Sequence, residues 1–321
     1  MTEVAVVGAG LMGHALALVY AVGGHQVRLT DNKAETLQRA PGLMATALAT
    51  LVEAGEVDAS WDRERLSNSV RCLPSIADTV DGANLVVEAI VERPDAKRAV
   101  YAELEGLMHA DAILASNTSN LDIFPLLPDG LQKRTIIAHW YTPPYLCDLV
   151  DLCPGPHSDP AAMTKVRDMV SAMGKVPVVF KQMVQGYVAN RLQAAMQLEV
   201  YRLLDEGLVT PKDIDDSVIH GLALRIPILG IMAKADFTGL LLMQHGMRNR
   251  SYTPPVPRDH SDTLDALIDD GRTGVMSGKG YFDWGGRSPE ELFRERDRKL
   301  LALKQALRRI GPMEGTCSAT T

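Results

Sequence analysis

Along the first half of the chain, short apolar runs rich in valine, isoleucine and leucine alternate with longer stretches in which apolar residues recur at helical spacing. The runs at 4–7, 27–30, 85–88, 113–115, 136–138 and 176–180 read as short β-rich strands. Such strands separated by helical stretches predict an α/β class: a Rossmann-type, doubly wound parallel sheet wrapped by helices over residues 1–183. The rhythm breaks once. Residues 33–55 and 64–73 both read as helix, which predicts a helical insertion at about residues 33–70 between the second and third strands. Beyond Met183 the strand signal stops, and helical segments with explicit start signals predict an all-α domain over residues 184–321. Thr210-Pro211-Lys212-Asp213 and Ser288-Pro289-Glu290-Glu291 each have the form of a capping box with proline in the first turn. Residues 315–321 are small and polar and are expected to fray.

A length of 321 residues suits two domains. Hydrophobic residues make up 46% of the chain and charged residues 23%, with no apolar run near the roughly 18 residues a membrane helix needs, so a soluble protein without a membrane partner is expected. Met1-Thr2-Glu3 leads straight into an apolar strand without the pattern of a secretory signal, and the expected location is cytoplasmic. The formal net charge is −7 and the positive residues are dispersed apart from a basic carboxy-terminal helix, which argues against a nucleic-acid partner. Cys72, Cys147, Cys153 and Cys317 show no metal-binding spacing, so reduced thiols and no metal site are expected.

Val4-Ala5-Val6-Val7 runs directly into Gly8-Ala9-Gly10-Leu11-Met12-Gly13 and then into a helical stretch. This is the strand, glycine turn and helix of a dinucleotide site: Gly8 and Gly10 permit the tight turn and a close backbone approach to the diphosphate, while Gly13 lets helix and strand pack. Asp31 closes the second strand 21 residues after Gly10, where a carboxylate can accept the ribose hydroxyls and repel a 2′-phosphate, so the cofactor is expected to be NAD.

Three segments supply polar groups to apolar strand ends: Ser116-Asn117-Thr118-Ser119-Asn120, Ala138-His139-Trp140-Tyr141-Thr142 and Leu149-Val150-Asp151-Leu152. His139 can take a proton at neutral pH, and Asp151, twelve residues on, is placed to fix its tautomer. His14, His25, His157, His220, His245 and His260 lack such company and read as structural or surface groups. With Val86-Val87-Glu88-Ala89-Ile90-Val91-Glu92 and Gly186-Tyr187-Val188-Ala189-Asn190-Arg191-Leu192, these motifs follow in the order of the 3-hydroxyacyl-CoA dehydrogenase family, which the chain resembles over nearly its whole length.

The resemblance implies a Rossmann domain followed by a helical dimerisation domain, and therefore a homodimer. It implies His139 as general base and Asp151 as its orienting acid, with Ser119 and Asn190 hydrogen-bonding the reacting oxygen. Glu92, Lys97, Ser119 and Thr142 would line the nicotinamide end of NAD. Departures from the family are Asp151 for the usual Glu, Thr142 for Asn and Gln185 for Pro.

The substrate signal is divided. Residues 42–55, in the insertion that in the family serves coenzyme A, contain no basic residue, and Arg225 offers a guanidinium that can clamp a free carboxylate, or simply form a surface or interdomain ion pair. Residues 190–207 resemble the branch of the superfamily that includes L-gulonate 3-dehydrogenase, and His139-Trp140 with Pro143-Pro144 the branch acting on a pyridine carboxylate. These favour an NAD-dependent oxidation of a small free 3-hydroxy acid to the 3-oxo acid. Residues 274–284 resemble short-chain 3-hydroxybutyryl-CoA dehydrogenases, which keeps the thioester open. A non-enzymatic NAD-binding sensor or structural protein is the remaining alternative.

Overall fold

A computed structural model describes residues 2–313 and 315 and divides into two compact units, Met1–Val188 and Ala189–Thr321. In the first unit β1 (Glu3–Val7) leads through α1 (Gly13–Val22) to β2 (Gln26–Thr30), and then through α2 (Ala34–Glu53) and α3 (Arg63–Ser69) to β3 (Val70–Cys72). The short α4 (Ile76–Val80), β4 (Leu85–Glu88), α5 (Pro94–Leu107), β5 (Ile113–Ser116), α6 (Asp129–Gln132) and β6 (Thr135–Trp140) follow. The unit closes with β7 (Leu149–Pro154), α7 (Pro160–Ala172) and β8 (Val176–Val179).

The eight strands lie in the order β3-β2-β1-β4-β5-β6-β7-β8, so the chain switches sides between β1 and β4. In such a sheet the crevice beyond the carboxyl ends of the strands at the switch is where ligands bind. Val86 and Leu114 on the sheet pack against Tyr101 and Leu104 of α5 in one buried cluster that extends to Ile137 of β6 and to Tyr187.

One expectation needs correction. Residues 70–72 are not the tail of the helical insertion but an edge strand that pairs with β2 in register Val27↔Val70 and Leu29↔Cys72. No turn residue separates this strand from α3, so the helical period runs on into it unmarked. The sheet is parallel-dominated as expected, with one reversal: β6 and β7 are antiparallel, and β8 follows the direction of β7. Only residues 141–148 join β6 to β7, fewer than the dozen or so a parallel crossover needs, so the strand returns alongside its predecessor.

In the second unit α8 (Tyr187–Asp205), which begins at its boundary with the first, is followed by α9 (Pro211–Ser217), a π-turn at Val218–Leu222, α10 (Ile226–Leu229), α11 (Met232–Thr238), α12 (Leu240–Arg248), α13 (Asp262–Asp269) and α14 (Pro289–Ile310). Both expected capping boxes form, Thr210 with Asp213 and Ser288 with Glu291. Asp205 at the end of α8 accepts from Ser261 Oγ at 2.8 Å and Thr263 N–H at 2.9 Å, tying α8 to the start of α13. Cys72, Cys147 and Cys153 are in no disulfide. Cys317 and the expected fraying, except at Gly315, fall outside the described residues. Among the described residues no helix is long and apolar enough to cross a membrane.

Candidate active site

The glycine turn is compressed against its neighbours. A Cβ at Gly13 would sit 1.7 Å from the Gly8 carbonyl oxygen, and one at Gly8, whose φ is +101°, would sit 2.6 Å from that of Ala89. Gly10 faces open space, so a ligand can approach its backbone. Asp31 at the end of β2 takes the Ala9 N–H on Oδ2 at 2.7 Å and the Lys33 N–H on Oδ1 at 2.8 Å, which clamps the turn onto the sheet. The His14 ring, half-buried and for that reason less basic than an ordinary imidazole, donates from Nδ1 to the Gly10 carbonyl at 2.7 Å. It is a structural group of the turn.

The next two strand ends are tied by carboxylates. Glu88, wholly buried at the end of β4, accepts from Lys97 Nζ at 2.8 and 2.9 Å, Tyr101 Oη at 2.7 Å and Ser116 Oγ at 2.6 Å. Burial and the Glu88 charge hold the Tyr101 hydroxyl well above its usual range, so it stays a donor. Lys97, also buried, reaches Glu92 at 3.3 Å. Glu92 Oε1 then collects Thr118 Oγ1 at 2.6 Å and the N–H groups of Ser119, Asn120 and Leu121 at 2.8, 3.1 and 3.2 Å. Partial burial alone would raise the Glu92 pKa, but the Thr118 and backbone bonds and the Lys97 charge outweigh it and hold the carboxyl below its ordinary value. Ser119 is half-buried, and its hydroxyl bonds to nothing among the described residues.

His139 lies inside β6, not beyond its end, and directly faces Asp151 across the antiparallel pair. Both are buried, and His139 Nδ1 is 3.5 Å from Asp151 Oδ2. The imidazole stacks on Tyr187, with ring centroids 4.5 Å apart and planes 20° from parallel, and meets the edge of Tyr141 at 4.6 Å. Tyr141 Oη donates to Asp151 Oδ2 at 2.6 Å. Burial first, then that bond, lifts the Tyr141 hydroxyl far above its usual range, and burial does the same for Tyr187, whose Oη donates to the Thr118 carbonyl at 2.7 Å. Cys153, two residues beyond Asp151, has its thiol pushed up to about 12 by burial and stays neutral. After the strand, Thr142 Oγ1 meets Met12 Sδ at 3.0 Å, joining the β6 end to the glycine turn.

Sequence reasoning singled out His139 and Asp151 but assigned no role to Glu88, Tyr141 or Tyr187. Tyr141 carried a usable signal, since a residue two positions from His139 in a strand shares its face. Glu88 and Tyr187 carried only burial that no local pattern discloses. Leu11 is exposed on the glycine turn. In the second unit, Asn190 stands in the first turn of α8, and Arg225 stands at the start of α10 without a side-chain cap bond, its Nε donating back to the Gly221 carbonyl at 3.1 Å.

Sequence profiles of a single family account for most of the chain: 3-hydroxyacyl-CoA dehydrogenase, NAD binding domain, matches residues 3–183, and the C-terminal domain of the same family matches residues 186–284. The chain belongs to the 3-hydroxyacyl-CoA dehydrogenase family. It is thus an NAD-dependent dehydrogenase, and the non-enzymatic alternative falls. Within this family it is 30% identical to 5-formyl-3-hydroxy-2-methylpyridine 4-carboxylate 5-dehydrogenase of Mesorhizobium japonicum over 95% of this chain and 98% of the relative. It is 32% identical to the lambda-crystallin homolog of Homo sapiens over 71% of this chain and 72% of that one. A crystal structure of the former enzyme, described as an NAD+ dependent dismutase, superposes with a TM-score of 0.86 at 29% identity, covering 98% of this chain and all of the other.

The residues of the dehydrogenase's glycine turn suit NAD. The start of α1 has no side-chain cap and no acidic residue in its first turn, so its positive end is left for a diphosphate above the open Gly10.

The Glu92 carboxylate gives a pH test. Because folding lowers its pKa, its stabilisation is complete above the ordinary value of 4.5 and is lost as pH falls through the lowered one. Urea denaturation followed from neutrality down through that range is expected to show a shallower acid loss in Glu92→Gln than in the parent; equal slopes would remove Glu92 from this role.

Proposed function

We propose that this dehydrogenase oxidises the 3-hydroxyl of a small free 3-hydroxy carboxylic acid to the 3-oxo acid, with His139 taking the hydroxyl proton. The observation that carries this reading is the imidazole held between Asp151 and the two tyrosines on the strand whose end touches the glycine turn. Nδ1 faces Asp151, which leaves Nε2 as the acceptor, and the buried carboxylate stabilises the imidazolium that forms. NAD supplies the acceptor for the hydride leaving C3. Ser119, its hydroxyl uncommitted, and Asn190 donate hydrogen bonds to the reacting oxygen.

Asp31 accepts the ribose hydroxyls, while Gly8, Gly10, Leu11, Met12 and Gly13 bear the diphosphate. Glu92 and Thr142 flank the nicotinamide end. Lys97, enclosed by Glu88 and Glu92, acts there by holding Glu92 in place.

A free acid is favoured over a coenzyme A thioester by the chemistry of two segments. Residues 42–55 carry no cation for the phosphates of coenzyme A. Arg225 is exposed and pairs with no carboxylate among the described residues, so its two terminal nitrogens remain for a substrate carboxylate. The Mesorhizobium relative, named for a pyridine carboxylate, agrees with that choice.

The helical unit supports a homodimer. Leu192 and Met196 of α8 lie four residues apart and are 50% and 51% exposed, and Leu241 and Met247 of α12 are 84% and 82% exposed. Apolar exposure of this extent marks an association surface.

Incubation of the protein with NAD and a panel of free 3-hydroxy acids, alongside 3-hydroxybutyryl-CoA, should give NADH with a free acid; turnover of the thioester alone would reverse the substrate reading. His139→Ala should lower that turnover by about 100-fold or more while NAD affinity is kept, and an active variant would refute the base. Arg225→Met should raise KM for the acid about tenfold or more, as loss of a charged hydrogen bond does, and an unchanged KM removes the clamp. Analytical ultracentrifugation should find a dimer that Leu192→Asp/Met196→Asp dissociates; a monomeric parent would rule the interface out.

A further inference from the structure

Asp151 serves two donors with one oxygen. Tyr141 Oη lies 2.6 Å from Oδ2 and His139 Nδ1 lies 3.5 Å from the same atom. The second distance is at the outer limit of an N–H···O bond, too long for the imidazole to fix the carboxylate alone. A short bond from a neutral hydroxyl to a carboxylate is among the stronger hydrogen bonds. Among the described residues, Tyr141 supplies the one short anchor of the Asp151 side chain.

The backbone explains why these three groups meet. Side chains two apart along an extended chain point to one face, so His139 and Tyr141, just past the end of β6, stand on the same face of the sheet as Asp151, the cross-strand partner of His139 on β7. The Tyr141 ring also lies edge-on to the imidazole, with planes 72° apart. One side chain therefore touches both members of the pair.

We infer that Tyr141 is the positioning residue of the active site: its hydroxyl holds the Asp151 carboxylate toward His139 Nδ1 across a gap that Asp151 does not bridge on its own. Tyr141 touches neither substrate nor NAD in this role, which rests on the reading of His139 as base and acts through it. Without the hydroxyl the carboxylate can rotate about its own side-chain bonds, Nδ1 loses its fixed partner, and the tautomer that leaves Nε2 free is no longer enforced.

The test needs no substrate. A histidine Nδ1–H bonded to a buried carboxylate gives a far-downfield, slowly exchanging proton resonance. In the protein bound to NAD this resonance is expected in the parent at mildly acidic pH, and its loss in His139→Ala and Asp151→Asn assigns it. Tyr141→Phe, which keeps the ring wall, should lose it, and adding Asp151→Glu, whose extra methylene spans the gap, should restore it. Melting temperature and NAD affinity, measured on the same samples, establish that Tyr141→Phe is folded.

A resonance unchanged in Tyr141→Phe overturns the inference. So does its absence from the parent, or a loss that Asp151→Glu does not reverse. If instead His139→Ala turns over normally while the resonance behaves as expected, the general-base reading fails and the positioning role of Tyr141 toward Asp151 stands.

Discussion

The site depends on β7 running against β6. Had the sheet stayed parallel throughout, Asp151, early in its strand, would lie toward the opposite edge from His139, late in its own. The short connection at 141–148 turns the chain back instead, and the early residues of β7 then sit beside the late residues of β6. His139 and Asp151 become cross-strand neighbours on the edge that also carries the glycine turn. Two residues at the same pleat position on adjacent backbones are held within a narrow range of separations, and that range brings Nδ1 and Oδ2 within 3.5 Å.

Carboxylates recur along this edge. Asp31 clamps the glycine turn, Glu88 joins β4 to β5 and α5, Glu92 gathers the loop after β5, and Asp151 takes Tyr141 and faces His139. Burying a charge costs several kcal/mol unless its hydrogen bonds are replaced, so Glu88 and Asp151, the two buried ones, are worth burying only where donors converge on them. Glu88 illustrates the balance with four side-chain bonds from three residues, one of them the cation Lys97. The result is an edge whose loops are fixed before any ligand arrives. Pre-set donors and acceptors need no reorganisation when charge moves during a reaction.

The two units differ in how they use apolar residues. In the first, valine and leucine on the central strands and α1 are almost wholly buried. In the second, helices α9 to α13 bury no residue completely, and leucine and methionine stand open along α11 and α12. An apolar face of that kind is stable in water only when something covers it, which is the role the proposed second copy would fill.

By itself the sequence determined the strand and helix rhythm, the glycine turn with Asp31, the two capping boxes and the pairing of His139 with Asp151, because each is carried by local chemistry at fixed spacing. It misread residues 70–72 as helix, since a three-residue edge strand is too short to show a period of two, and it did not mark the reversal of β7 although the brevity of 141–148 was in plain view. Only the tertiary structure decided that Glu88 binds Lys97, Tyr101 and Ser116, that Tyr187 stacks on His139, and that Tyr141 anchors Asp151. Those contacts join residues from separate elements, and the direction in which a buried side chain points is set by what packs around it, which no local pattern records.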